Sequence, residues 1–135
     1  MEFKSQVYTT LEQSKRLVAL GLKKETSDCC HYYVAGVTDE EIPEDVNHPA
    51  WSLHRLIDML PHVITGLVIS ADGKEIDMFC YLKITKVEIS YWYYNEDGMV
   101  ECYERFGGGD LYKNVIDIIE FLISENMLDK QYIGG

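Results

Sequence analysis

Apolar positions recur at helical spacing in three stretches of the chain and alternate, strand-like, between them. Leu11, Leu17, Val18 and Leu20 follow Thr9 and Thr10, and Glu12 and Gln13 stand three residues after each threonine. That is the spacing of a capping box, and Gly21 is placed to close the last turn in a left-handed conformation. The pattern predicts a helix over residues 10–21. In the second stretch Leu53, Leu56, Ile57 and Leu60 mark one buried face. Ser52 suits its N-cap, Trp51 before the cap and Leu56 after it form a hydrophobic staple, and Pro61 stops it. The third helix is predicted over residues 110–125, with Asp110 as N-cap. Leu111, Val115, Ile118, Ile119 and Leu122 form its inner face, and Ile116, Phe121 and Ile123 widen it.

Between these stretches the period is two. Residues 29–37 are apolar, aromatic and β-branched, which predicts a strand. Residues 64–70 and 75–82 flank Ala71-Asp72-Gly73-Lys74, and residues 87–94 and 99–106 flank Asn95-Glu96-Asp97-Gly98. Each Asp-Gly predicts a tight hairpin turn. Leu82 and Ile84 have one parity and Val87, Ile89, Tyr91 and Tyr93 the other, so a turn or bulge is expected near Thr85. The order α-β-α-β-β-β-β-α predicts one α+β domain over residues 1–135. It has an antiparallel sheet of about four to five strands and three helices.

Composition narrows the chemistry. The chain has 23 acidic and 12 basic residues, a formal net charge of −11. A polyanion meets a repulsive field there, so direct nucleic-acid binding is not expected, and an anionic membrane is disfavoured on the same ground. The opening Met1-Glu2-Phe3-Lys4-Ser5-Gln6 lacks the basic start and apolar run of a signal peptide, and no stretch is long enough for a membrane span. The expectation is a cytoplasmic chain with four free thiols.

Thr9-Thr10-Leu11-Glu12-Gln13-Ser14-Lys15-Arg16-Leu17, the Trp51-Ser52-Leu53 segment with Leu56-Ile57 and Met59-Leu60-Pro61, and the closing helix from Ile116 to Asn126 carry a resemblance. The chain resembles a family of small uncharacterised proteins from prophage-like or mobile-element regions of gut anaerobic bacteria. The resemblance implies a mobile-element origin and implies no activity, ligand or cofactor.

Several local features invite a chemical reading. Cys29-Cys30-His31 lacks the C-x2-4-C spacing that turns two sulfurs toward one zinc, and adjacent strand residues point to opposite faces, so no metal is expected. His31, His48, His54 and His62 show no pairing with a nucleophile, and no catalytic residue is assigned. Phe106-Gly107-Gly108-Gly109-Asp110 precedes a helix, but Asp110 would repel an anion and no Lys, Ser or Thr follows. A cofactor is therefore not expected either.

Tyr91-Trp92-Tyr93-Tyr94, with Phe79, Tyr81 and Tyr103, is the most unusual feature, and two readings apply: core and cross-strand packing, or a binding face. Parity turns Trp92 and Tyr94 outward, which makes them the candidate contact residues. The acidic run containing Asp39, Glu40, Glu41, Glu44 and Asp45, broken by Pro43 and Pro49, reads as a solvated loop and as a docking feature for a basic partner. The Ile133-Gly134-Gly135 end is expected to fray. These features together favour a non-catalytic module that binds a protein partner, a homodimer being one form. A nucleic-acid mimic with carboxylates in a row on one face is the first alternative, and a small enzyme whose site is assembled only in space is the second.

Overall fold

The computed structural model describes residues 6–31 and 48–134. Its elements run α1 (Leu11–Ala19), β1 (Cys29–His31), β2 (His48–Ala50), α2 (Leu53–Asp58), β3 (Val63–Ile69), β4 (Glu75–Ile84), β5 (Glu88–Tyr94), β6 (Val100–Gly107) and α3 (Leu111–Ser124). The class is α+β, with three helices and a four-stranded antiparallel sheet in the order β3-β4-β5-β6. β1 and β2 form a separate antiparallel pair. Backbone contacts divide the chain into two compact units, one of Met1–Met59 with Asp129–Gly135 and one of Leu60–Leu128.

In the first unit the capping box forms between Thr10 and Gln13: the Thr10 hydroxyl accepts from the Gln13 N–H and the Gln13 side chain accepts from the Thr10 N–H. Gly21, at φ +106°, closes α1, so that its own N–H reaches Val18 O and the Leu22 N–H reaches Leu17 O. Leu17 and Ser14 are the buried positions, and Leu11, expected inside, is exposed. The unexpected member is Ser14, whose hydroxyl bonds the buried Thr9 hydroxyl at 2.6 Å.

β2 lies where a loop was expected. Pro49 was read as a breaker, but it pairs opposite Cys30 in a two-stranded ribbon. Both strands of such a ribbon are edges, and an edge tolerates the missing N–H. The C-terminal segment is also more ordered than expected, at least to Gly134. Ile133 bridges Leu22, the Lys23 N–H donates to Tyr132 O, and the Gly134 N–H donates to Gly21 O.

Trp51 is the centre of this unit. It is fully buried, its indole Nε1 donates to Thr26 Oγ1 at 3.0 Å, and its backbone N–H donates to Thr9 Oγ1 at 3.1 Å. Leu56, the other arm of the staple, is fully buried too. Ser52 caps α2 by accepting from the Arg55 N–H at 3.1 Å, and it donates its own N–H and hydroxyl to the Asp28 carboxylate. Burial acts to raise the Asp28 pKa, but the bonds from Ser52 outweigh it and leave the group below the usual carboxylate value. A depressed carboxyl contributes stability above its unfolded pKa and loses it as pH falls through the folded one. Ser52→Ala should lower stability by about 1 kcal/mol through loss of the cap. It should also reduce the loss of stability in acid, because Asp28 would lose the hydroxyl bond that contributes most to holding its carboxyl low, while the backbone N–H of position 52 still donates. Denaturant melts of both proteins at neutral and acid pH check this, and an unchanged melt at neutral pH would mean that Ser52 does not cap the helix.

In the second unit each Asp-Gly turn is one residue longer than the two-residue form. Ser70 N–H pairs with Lys74 O and Asn95 N–H with Met99 O, and Gly73 and Gly98 take φ of +85° and +79°. This is the three-residue hairpin whose last position must be left-handed. The parity slip near Thr85 is a turn: Thr85 N–H donates to Glu88 O, and the Thr85 hydroxyl accepts from the N–H groups of Val87 and Glu88. Val87, expected inside, stands in this turn and is exposed.

A further irregularity has no counterpart in the sequence reading. Tyr91 pairs with Glu104 but Trp92 with Cys102, so Tyr103 is an extra residue in β6. The bulge sends the Tyr103 ring to the inner face, edge-on to Phe121 of α3 and against Gly66 of β3. A Cβ at position 66 would lie 2.7 Å from that ring, so the glycine leaves the room in which the Tyr103 ring reaches β3. α3 lies on the same inner face, where Phe121 also meets Phe106. Its Val115, Ile116, Ile118, Ile119 and Leu122 are fully buried, as is Asn114, whose Nδ2 donates to Val87 O and Gly109 O.

Candidate interaction face

Strand pairing decides which side chains share the outer face, since directly opposed residues point the same way. Val63 of β3 faces Tyr81 of β4, which faces Trp92 of β5, which faces Cys102 of β6. The row on one side of it is Lys83, Ser90 and Arg105. On the other side lie Thr65 opposite Phe79 and Tyr94 opposite Val100, and beyond them Leu67 opposite Asp77 and Ile69 opposite Glu75. Val63, Leu67, Ile69, Phe79, Tyr81, Tyr94 and Val100 are 43–74% exposed.

The two outward aromatic residues named from parity differ in environment. Tyr94 is 59% exposed and meets the Tyr81 ring edge-on, with centroids 6.5 Å apart. Trp92 is half-buried. Lys83 Nζ lies 5.3 Å from its centroid and the Arg105 guanidinium 5.4 Å, and its Nε1 donates to the buried Ser90 hydroxyl at 2.7 Å. Arg105 in turn pairs with Glu88 at 3.0 Å. The indole is held in one orientation by two cations and a hydroxyl, each satisfied by it. A shallow groove of about 340 Å³ runs between Tyr81, Trp92, Tyr94 and Val100.

On the inner face the β5 parity holds for Ile89 and Tyr91, both fully buried. Tyr93 is half-buried, and its hydroxyl donates to Glu101 Oε2 at 2.7 Å. That bond, before burial, holds the phenol's proton and pushes its pKa up to about 12. The pair borders a second groove, of about 330 Å³, with Val68, Ile76, Met78 and the Asn95–Asp97 turn. Neither groove includes a histidine. His54 and His62 are exposed, and His48 Nδ1 lies 3.0 Å from Pro49 O.

Cys80 is buried on the inner face and Cys102 half-buried on the outer, and burial raises both thiols. Among the described residues no three His, Cys, Asp or Glu side chains gather in a way that would hold a metal ion. No helix among them is long and apolar enough to cross a membrane. Asp39, Glu40, Glu41, Glu44 and Asp45 lie outside the described residues.

Sequence reasoning singled out Trp92 and Tyr94 but left Phe79 and Tyr81 as aromatic residues without a face, and passed over Val63, Leu67 and Ile69. The signal was present in the two Asp-Gly turns. Once a hairpin register is fixed, parity alone sets residues 63, 67, 79 and 81 beside 92 and 94. No protein-family model, no curated protein and no solved structure matches the chain.

Proposed function

We propose that the chain is a non-catalytic protein-interaction module of mobile-element origin and that the outer face of its four-stranded sheet is the contact surface. One observation carries the reading: seven apolar and aromatic side chains, on four adjacent strands, stay exposed on a single face. Scattered exposed hydrophobics are ordinary, but a contiguous patch rimmed by charge marks a contact surface. Tyr and Trp at its centre are the residue types that bury large area at little rotamer cost. The resemblance to prophage-borne proteins agrees with a module that acts by binding. The acidic run at residues 39–45 adds a docking feature for basic groups.

The test is the double variant Phe79→Ser with Tyr94→Ser. Both rings are largely in water, so stability should change by about 0.5 kcal/mol or less per site. Association should be lost, whether read as self-association by light scattering or as proteins captured from host cells. A folded variant that associates and captures as the wild type does would contradict the proposal.

A further inference from the structure

The outer face of β4 carries a pattern whose two ends are opposite in charge. Its outward residues run Asp77, Phe79, Tyr81, Lys83: acid, aromatic, aromatic, base. Asp77 and Lys83 are both exposed. Among the described residues Lys83 has no carboxylate ion-pair partner, its Nζ lying over the Trp92 ring, and Asp77 has no cation partner. Six residues of strand separate them by about 20 Å, so they cannot satisfy each other within one chain. At the Lys83 end Arg105 is already neutralised by Glu88, so Lys83 supplies the unpaired charge there, whereas Glu75 and the Glu96-Asp97 turn extend the end that holds Asp77, with Lys74 paired to Asp72.

We infer that the occupant of the outer face is a second copy of this chain, packed face to face with its strands running oppositely about a twofold axis near Cys80. This rests on the reading of that face as a contact surface. In the arrangement Asp77 of each copy meets Lys83 of the other, and Phe79 of each meets Tyr81. A twofold contact uses one patch twice, so the patch must be complementary to itself, and opposite charges at the two ends of one apolar band meet that condition. A uniformly acidic face would point instead to a basic partner.

The scale is modest. Four strands about 4.8 Å apart and seven residues long give a face of roughly 450 Å² in plan, below the ~800 Å² per partner of a standard interface. The expected dimer is therefore reversible and concentration-dependent. The net charge of −11 opposes it at long range, but the repulsion is screened beyond about 8 Å at physiological salt.

The experiment is sedimentation of the full chain over a range of concentrations at physiological ionic strength. It compares wild type, Asp77→Lys, Lys83→Asp, their equimolar mixture, and Phe79→Ser with Tyr94→Ser. Each single reversal turns two attractive contacts into two repulsive ones and should weaken association about tenfold or more. The mixture restores both pairs as Asp on Lys, so it should re-form a dimer containing one copy of each variant. That rescue also shows that both variants are folded. A wild type that stays monomeric throughout, or single reversals that dimerise like wild type, overturns the second copy as occupant. If the Phe79 and Tyr94 variant then still loses capture of a host protein, the contact-surface reading stands without the dimer. If that variant changes nothing either, both fail.

Discussion

Trp51→Ala should destabilise the chain by about 3–5 kcal/mol. The ring is fully buried, so its removal opens a cavity that the first unit cannot fill by surface rearrangement. The cavity adds to a polar loss. Thr26 Oγ1 now accepts from the indole Nε1 and donates to Lys23 O, and the variant would strip the acceptor side. The backbone pair of Thr9 N–H with Trp51 O would remain, since it needs no side chain. Trp51→Phe keeps most of the volume and should cost clearly less than the alanine variant. Denaturant unfolding gives the magnitudes. Hydrogen exchange at Leu17 and Leu22, both buried in this unit, shows where protection falls. An alanine variant as stable as wild type would mean that Trp51 is not the centre of its unit.

Tyr91→Ala should cost about as much in the second unit, again ~3–5 kcal/mol, because the ring is fully buried on the inner face opposite Leu82. Its hydroxyl donates to Pro61 O at 2.7 Å, and burial raises its pKa, so it remains a donor at any working pH. Tyr91→Phe keeps the packing and orphans one carbonyl, for which about 1 kcal/mol is expected. The ratio of the two losses separates packing from hydrogen bonding. Equal losses would place the whole contribution in the hydroxyl.

What could be read from the sequence was mostly local. The Thr10–Gln13 box, the Ser52 cap, the Asp110 cap and the glycine positions of both hairpins depend on neighbours three or four residues away, and all formed. The three helices and four sheet strands followed from them. Tertiary pairings stayed out of reach. Pro49 looked like a breaker because its partner Cys30 lies far off in sequence, and an edge position cannot be recognised before the edge is known.

The Tyr103 bulge is invisible for a related reason. β6 alternates acceptably in either register, and only the Tyr91 and Trp92 pairings reveal the extra residue. Thr9, Ser14, Ser90 and Asn114 are polar residues that periodicity places no better inside than outside, and each is fully buried. On the candidate face, parity along one strand reached Trp92 and Tyr94, but the area of the patch depends on two hairpin registers together. The half-burial of Trp92 depends on Lys83 and Arg105, which flank it from strands on either side.

The central claim is that the outer sheet face is covered when the protein is at work. Hydroxyl-radical footprinting reads this residue by residue, comparing dilute purified protein with cells that express the full chain. Phe79, Tyr81 and Tyr94 are exposed in the isolated chain, and Tyr8, also exposed, provides a reference ring in the first unit. Labelling of the three face residues relative to Tyr8 should be lower in cells than in dilute solution. Equal relative labelling in the two settings would contradict the claim.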